Sequence, residues 1–289
     1  MPEGDTLYRI ANQLRPVLAG QIITAAEAWR PRSGPAIDAP SLVGRRVESV
    51  EAVGKHLMIA FDDRRVLHSH LGMTGSWHTY LVGEDWRKPA HRAGIWLATA
   101  THVVVNFSPK LLELKSAAEL RGDRYLRRLG PDLMLPTVNP ADALPRLRRH
   151  NAAPIGEAVM NQTLVAGIGN VYKSETLFLT KLDPWRAVAS IGDEALLAYL
   201  QMTHKLMRRN RGSGWRTTRF AATGPRLWVY GRRGDACLVC GGVIHMRRQG
   251  DAARSTYWCP ACQPAAGEGE RRFEGDETVR RRGPIKGCS

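Results

Sequence analysis

Long hydrophobic runs are missing from this 289-residue chain. No apolar stretch approaches the roughly 20 residues that a membrane-spanning helix needs. A secretory leader is missing too: the first apolar stretch is amphipathic and carries Arg9 and Arg15, which predicts a chain without a signal peptide. No internal repeat is visible, which sets aside solenoids and propellers. Acidic residues are short, 27 Asp plus Glu against 42 Lys plus Arg, leaving a formal net charge of +15. That excess suits a polyanionic partner, because neutralising phosphates releases counterions. An anionic membrane surface attracts the same sign, so charge alone does not choose. Cysteine is scarce, five residues in all, and four of them fall in two close pairs. Such usage fits a reducing compartment and a bound metal better than a secreted disulfide framework. The expectation is a soluble, cytoplasmic protein that faces nucleic acid, long enough for two domains.

Leu7, Ile10, Ala11, Leu14 and Val17 recur at helical spacing, with Asp5 or Thr6 as N-cap and Pro16 and Gly20 near the end. From about 21 to 107 the pattern changes to short runs rich in Val, Ile, Trp and Thr. RVESVEAV, HLMIAF, RRVLHSHL, GIWLATA and HVVVNF, punctuated by Gly, Asp or Pro, read as an antiparallel sandwich or barrel. Residues 108–150 are mixed, with TVNPADALP as a linker, and EAVMNQTLV, NVYKSETLFLTKL and EALLAYLQMTHKLMRRN follow as helical patterns. The expected fold class is therefore α+β and multidomain. An N-terminal antiparallel β-sandwich domain spans 1–125, a linker region 126–150, a helical domain 151–226 and a β-rich cysteine module 227–264. The segment 265–289 is charged and poor in apolar residues, which predicts disorder.

The cysteines read Cys237-x2-Cys240, eighteen residues, then Cys259-x2-Cys262. Four thiolates so spaced can close a tetrahedron around one zinc, and with no ligand position left open the metal is structural. Between the pairs, GGVIHMRRQGDAARSTYW alternates like a hairpin. It carries Arg247 and Arg248, read as surface charge, and Arg254, whose direction the metal staple would fix. Cys288 lies outside the pattern and receives no role. Upstream, Gly167 and Gly169 sit between two helical patterns, with Asn170 at the next helix start as N-cap or outward-reaching side chain. Free N–H groups and the positive dipole end at that start make it a candidate phosphate clamp. At the chain start, a small residue after Met1 is the context for initiator removal, which would leave the secondary amine of Pro2 beside Glu3. Taken alone, those residues are a solvated leader.

Taken together, the order of motifs is specific: PEG at the start, VGKHL at 53–57, HLGMTGSW at 70–77, LVAGIGNVYKSE at 164–175, VYGRRG at 229–234, then the four cysteines. It resembles the formamidopyrimidine-DNA glycosylase/endonuclease VIII family over about residues 2–263. The resemblance implies an N-terminal β-sandwich, a helix–two-turn–helix domain and a zinc finger, with damaged DNA held in the cleft between domains. It implies that the Pro2 amine attacks the sugar C1′, expels the base, forms an iminium and cuts the strand by β- and then δ-elimination. An α-amine titrates near 8 against about 10.4 for lysine, so more of it is free at neutral pH. A helix start close by would lower it further. Glu3 is implied as the proton-handling carboxylate and needs burial for that work. Lys55 is implied as the second catalytic group; by period-2 counting it shares a face with Leu57, Ile59 and Phe61, although a lysine snorkelling at a strand end would fit the same pattern. Arg254 completes the implied catalytic set and also meets phosphate, as does Asn170. Met73, between Gly72 and Gly75, is implied to fill the gap left by the flipped nucleotide, against the plain alternative of a core methionine. His68 and His70 form an H-x-H pair, read as strand residues by the DNA groove rather than metal ligands, with His70 as a DNA contact.

Three features depart from much of the family. Thr6, preceded by Asp5, stands where many members carry a glutamate, so any relay through it is absent, rerouted or taken over by Asp5. Lys110, Leu111 and Leu112 occupy the neighbourhood where 8-oxoguanine-type members carry an arginine–phenylalanine wedge, which leaves Lys110 as the candidate DNA contact there. The stretch TTRFAATGPRLWV is short for a loop that caps 8-oxoguanine. These favour the endonuclease VIII-like branch of actinobacterial type. The reading is then a nucleoid-associated, monomeric glycosylase and abasic-site lyase acting on oxidised pyrimidines in double-stranded DNA, single strands or bubbles. Two alternatives stand beside it: the same chemistry on 8-oxoguanine and formamidopyrimidine lesions, or a catalytically silent zinc-finger DNA-binding protein.

Overall fold

The computed structural model describes residues 2–29, 36–212 and 214–265. The tail expected to be disordered and Cys288 lie outside those residues. The chain opens with α1 (Gly4–Leu18), which buries Leu7, Ile10, Ala11, Leu14 and Leu18 on one face. Its N-cap is Glu3, in extended conformation, rather than the expected Asp5 or Thr6. The Thr6 hydroxyl instead turns back to accept the Glu3 N–H at 3.4 Å. Pro16 does not end the helix. It costs one hydrogen bond in the last turn, and the Ala19 N–H still reaches the Arg15 carbonyl at 2.9 Å.

Eight strands follow: β1 (Ala25–Ala28), β2 (Val47–Val53), β3 (His56–Phe61), β4 (Arg65–His70), β5 (Ser76–Leu81), β6 (Ala93–Ala98), β7 (His102–Phe107) and β8 (Leu111–Ser116). They form two four-stranded antiparallel sheets, ordered β1-β6-β7-β5 and β2-β3-β4-β8. Alternation along β3 sends Leu57, Ile59 and Phe61 inward to complete burial. There they join Val47, Val50 and Leu67 from their own sheet, Ile95, Leu97 and Val104 from the other, and the apolar face of α1. Each such side chain contributes about 1.5–3 kcal/mol of burial free energy. The outer face of the first sheet is also covered, with Trp29, Trp86 and Trp96 packed over Tyr80, Val105 and Phe107.

After β8 come α2 (Ala117–Gly122), α3 (Arg124–Arg127), α4 (Leu144–Arg148), α5 (Ile155–Ala158), α6 (Asn170–Leu179) and α7 (Asp193–Arg209). The region expected as a linker contributes to the core: Leu133, Met134, Ala143 and Leu147 pack with Ile155, Tyr172, Leu200 and Leu206. Tyr8 of α1 packs against this second core as well, so the first helix serves both halves. The helix expected over EAVMNQTLV stops at Ala158. The Asn161 side chain then accepts the Thr163 N–H at 3.0 Å and holds the chain in the turns leading to α6. The finger hairpin, β9 (His245–Gln249) against β10 (Arg254–Trp258), docks on α6, where the Ser174 hydroxyl accepts the Tyr257 N–H at 3.2 Å. Among the described residues no helix is long and apolar enough to cross a membrane.

Candidate active site at the seam of two cores

The two halves meet where the chain start enters the turn before α6. Gly4 donates its N–H to the Gly167 carbonyl at 2.9 Å. Glu3 is wholly buried and reaches into the N-terminus of α6. Its Oε2 accepts from the N–H of Gly169 (2.9 Å) and Tyr172 (3.3 Å), and its Oε1 from Val171 (2.8 Å). The glycine requirement follows directly: a Cβ on Gly169 would lie 2.3 Å from the Glu3 carboxyl carbon, and Gly167 holds φ +95°. The helix start is therefore an anion site, as its free N–H groups dictate. Its anion in this structure is Glu3, which takes the N–H groups of Gly169, Val171 and Tyr172. Asn170 is correspondingly the first helical residue, with Gly169 as N-cap. Asn170 is almost fully buried, and its Oδ1 has no hydrogen-bond partner in the structure.

Beside this seat lies a cleft of about 700 Å³ lined by Pro2, Lys55, His70, Met73, Lys110, Lys173 and Arg254, among others. The sequence-expected residues Pro2, Lys55, His70, Met73, Lys110 and Arg254 thus share one space. Lys55 stands in the β2–β3 turn rather than on the strand face with Leu57, because the chain reverses at Gly54 (φ +57°). The Gly54 N–H is held by the Asp132 carboxylate at 2.7 Å, so the segment after α3 aims the lysine. Burial pushes the Lys55 amine down to about 8, against the pull of Glu3 and with help from Arg254 and Arg216.

Met73 is two-thirds exposed on a turn between Gly72 and Gly75, which makes it a projecting tip and not a core residue. Gly72 adopts φ +63°, and a Cβ on Gly75 would strike the Leu71 carbonyl at 2.4 Å. Lys110 is exposed beside it, whereas Leu112 is core at 2% exposure and is no wedge. Of the H-x-H pair only His70 opens on the cleft. Burial drives its imidazole down to about 4, reinforced by Lys110, Lys55 and His68, and Nδ1 accepts the Gly72 N–H at 3.1 Å. His68 is enclosed, 2.8 Å from the His56 ring, so its placement by a DNA groove is corrected.

Two charged residues escaped the sequence reading. Lys173 on α6 is completely buried, and its Nζ donates to the Thr256 hydroxyl at 2.6 Å. Burial lowers it to about 8, with Glu3 opposing and Arg254 assisting. A lone lysine inside NVYKSETLFL was the available signal. Arg216, in the segment after α7, pairs with Glu3 and Asp5, and no local pattern marks it.

The four cysteine sulfurs lie within 4.8 Å of one another, with Cys240 and Cys259 at 3.4 Å and Cys237 and Cys262 at 3.9 Å. Four thiolates about 2.3 Å from a common centre would be spaced in this way, so the set fits one structural zinc with no open position. The finger carries Arg254 to the cleft on the first residue of β10.

Comparison with known proteins agrees with this geometry along the chain. The formamidopyrimidine-DNA glycosylase N-terminal domain family matches residues 1–121, its H2TH domain family residues 129–220, and the zinc finger found in FPG and IleRS residues 234–265. A probable endonuclease 8 2 of Streptomyces coelicolor is 38% identical, over 94% of this chain and 98% of that protein. A DNA-(apurinic or apyrimidinic site) lyase Nei2 of Mycolicibacterium smegmatis is 36% identical, over 92% of this chain and all of that one. Among solved structures, Lactococcus lactis formamidopyrimidine-DNA glycosylase bound to DNA containing an abasic site shares the fold. Its TM-score is 0.77 at 24% identity, covering 91% of this chain and 100% of that one. With three consecutive domain matches and full-length relatives above 30% identity, the chain belongs to the formamidopyrimidine-DNA glycosylase/endonuclease VIII family of DNA glycosylases and abasic-site lyases.

Proposed function

We propose that the cleft removes oxidised bases, pyrimidines in preference, and then cuts the strand through a Schiff base on Pro2. The observation that carries this reading is the seam itself. Pro2 lines the cleft while its neighbour Glu3 is locked into α6 and the Lys55 amine, lowered to about 8, faces the same space. After Met1 is removed, the Pro2 nitrogen attacks C1′. The C1′–N bond breaks, and the base leaves with the electron pair and takes up a proton. The Pro2 nitrogen gives up its N–H proton, and opening of the C1′–O4′ bond, with a proton delivered to O4′, then gives a cationic iminium. Removal of a C2′ proton then expels the 3′ phosphate, and δ-elimination releases the 5′ phosphate. Glu3 and Lys55 are assigned the proton transfers. Arg254 and Lys110 are assigned backbone phosphates, Met73 the vacated stack, and His70 a neutral contact at the groove. The preference for pyrimidines is supported by the core placement of Leu112, which leaves Lys110 where a purine-type member carries its wedge.

Borohydride trapping on abasic-site DNA tests the chemistry. A covalent adduct is expected from the processed protein, weakened by Pro2→Gly; no adduct means no Schiff base and a silent binder. Lys55→Ala should harm base excision more than cleavage at a preformed abasic site, and equal loss of both refutes its role. A panel of oxidised purines and pyrimidines, in single and double strands, decides the lesion class.

A further inference from the structure

Thr6 stands where a glutamate is common in the family, and the structure shows what surrounds that position. Asp5 is completely buried, and Arg216 grips it with a two-point fork, Nε reaching Oδ2 at 2.8 Å and the terminal nitrogen reaching Oδ1. The same terminal nitrogen donates to the Thr6 hydroxyl at 2.8 Å. The other one lies 3.5 Å from Glu3 Oε1, and the guanidinium carbon sits 5.1 Å from the Tyr172 ring centre. One side chain, 12% exposed, therefore touches every polar residue of the first turn and the helix residue whose N–H holds Glu3. Its own backbone is pinned next door, because the Asn210 side chain exchanges two 2.8 Å hydrogen bonds with Thr217.

We propose that Arg216 is a positioning residue for the reacting end of the chain: a cation from the second half that fixes Glu3, and through Asp5 and Thr6 the turn that carries Pro2. A fork of five fixed donors matches this set of acceptors in a way that a lysine point charge cannot. Arg9, 3.7 Å from Asp5, adds a second cation on the solvent side, but of the two arginines it is Arg216 that bridges to Glu3. The assignment rests on the reading of Pro2 and Glu3 given above. It also bears on the missing glutamate: the guanidinium holds both Asp5 oxygens, with the Thr6 hydroxyl and Arg9 beside them, so Asp5 orders the turn.

The test separates positioning from binding. Arg216→Gln should lower the single-turnover rates of excision and of trapping by about 10²-fold, the size expected from misplacing a reacting group. Affinity for DNA carrying an uncleavable abasic analogue should stay as it was. Arg216→Lys should recover part of the rate, since charge returns without the fork. Asp5→Asn should lower the rate alone, and the double variant Asp5→Asn/Arg216→Gln should be no slower than the slower single one, because the pair acts as a unit. A full rate in Arg216→Gln, a fall in affinity that matches the fall in rate, or multiplying losses in the double variant would each overturn the assignment. If Arg216→Gln does not fold, as judged by melting and zinc content, Asp5→Asn and Arg216→Lys carry the same comparison. Failure of the unaltered protein to trap would overturn the underlying reading and this assignment with it. Trapping undiminished in Arg216→Gln overturns this assignment alone.

Discussion

Two glutamates near α6 solve the same physical problem to different ends. Glu3, from the chain start, accepts three backbone N–H groups at the helix N-terminus. Glu175, within the helix, accepts three more from Trp228, Val229 and Tyr230, where the chain turns toward the finger. Both are completely buried, and both hold a distant segment to the same helix. Their remaining neighbours differ. Glu175 is completed by the Thr218 hydroxyl, with burial raising its carboxyl above the usual range. Glu3 faces Arg216 and feels Lys55 and Lys173. Satisfying backbone donors makes a joint, and cations and an open cleft beside the joint make a site.

Substitution should pull the two apart. Glu3→Gln is expected to cost about 10²–10⁴-fold in single-turnover excision, the range for losing a general acid–base group. Affinity for damaged DNA should be little changed; an equal loss of both would reduce Glu3 to a second joint. Glu175→Gln should do the reverse. Its amide leaves at least one N–H without an acceptor, a cost of about 1–3 kcal/mol, read as a lower melting temperature and easier proteolysis before the finger. Trapping at saturating DNA should survive.

The lysines sharpen the contrast further. A lysine lowered to about 8 binds fewer protons than its unfolded counterpart between about pH 8 and 10.5, so stability should rise with pH across that window. Below 8 both states are protonated, and the full cost of burying the charge is present. Lys173→Met should therefore raise the melting temperature at pH 7 by roughly 2–4 °C for each kcal/mol recovered. It should also flatten the pH dependence, which differential scanning fluorimetry can follow; an unchanged slope would rule out the buried charge. Smallest of all, Arg254→Ala should weaken DNA binding and reduce its logarithmic salt slope by about 1.

How far the sequence carried these conclusions depends on how local the cause was. HLMIAF and HVVVNF became β3 and β7 residue for residue, because alternating burial in the first and a continuous β-branched run in the second are both written within the strand. The four cysteines needed only their spacing. Lys55 and Met73 both line the cleft, but Lys55 sits in a turn and not on the expected strand face, and it owes its aim to Asp132, far along the chain. The N-cap at Glu3 was missed because its carboxylate is spent on residues 166 or more positions away. Arg216 was missed for the same reason, its partners lying 210 and 211 positions off. The long helix expected over EAVMNQTLV failed against Asn161, whose side chain offered the backbone a turn.

The seat that α6 makes for Glu3 has a consequence for synthesis. The amine-bearing end leaves the ribosome first, and N-terminal domains tend to fold as they emerge. Yet the N–H groups that receive Glu3 belong to residues 169–172, made more than half a chain later. On the roles proposed for Pro2 and Glu3, a nascent sandwich would carry its nucleophile with no finished proton partner beside it. Competence to break a glycosidic bond arrives only when the second half closes on the first, so a partly made chain would meet DNA unarmed.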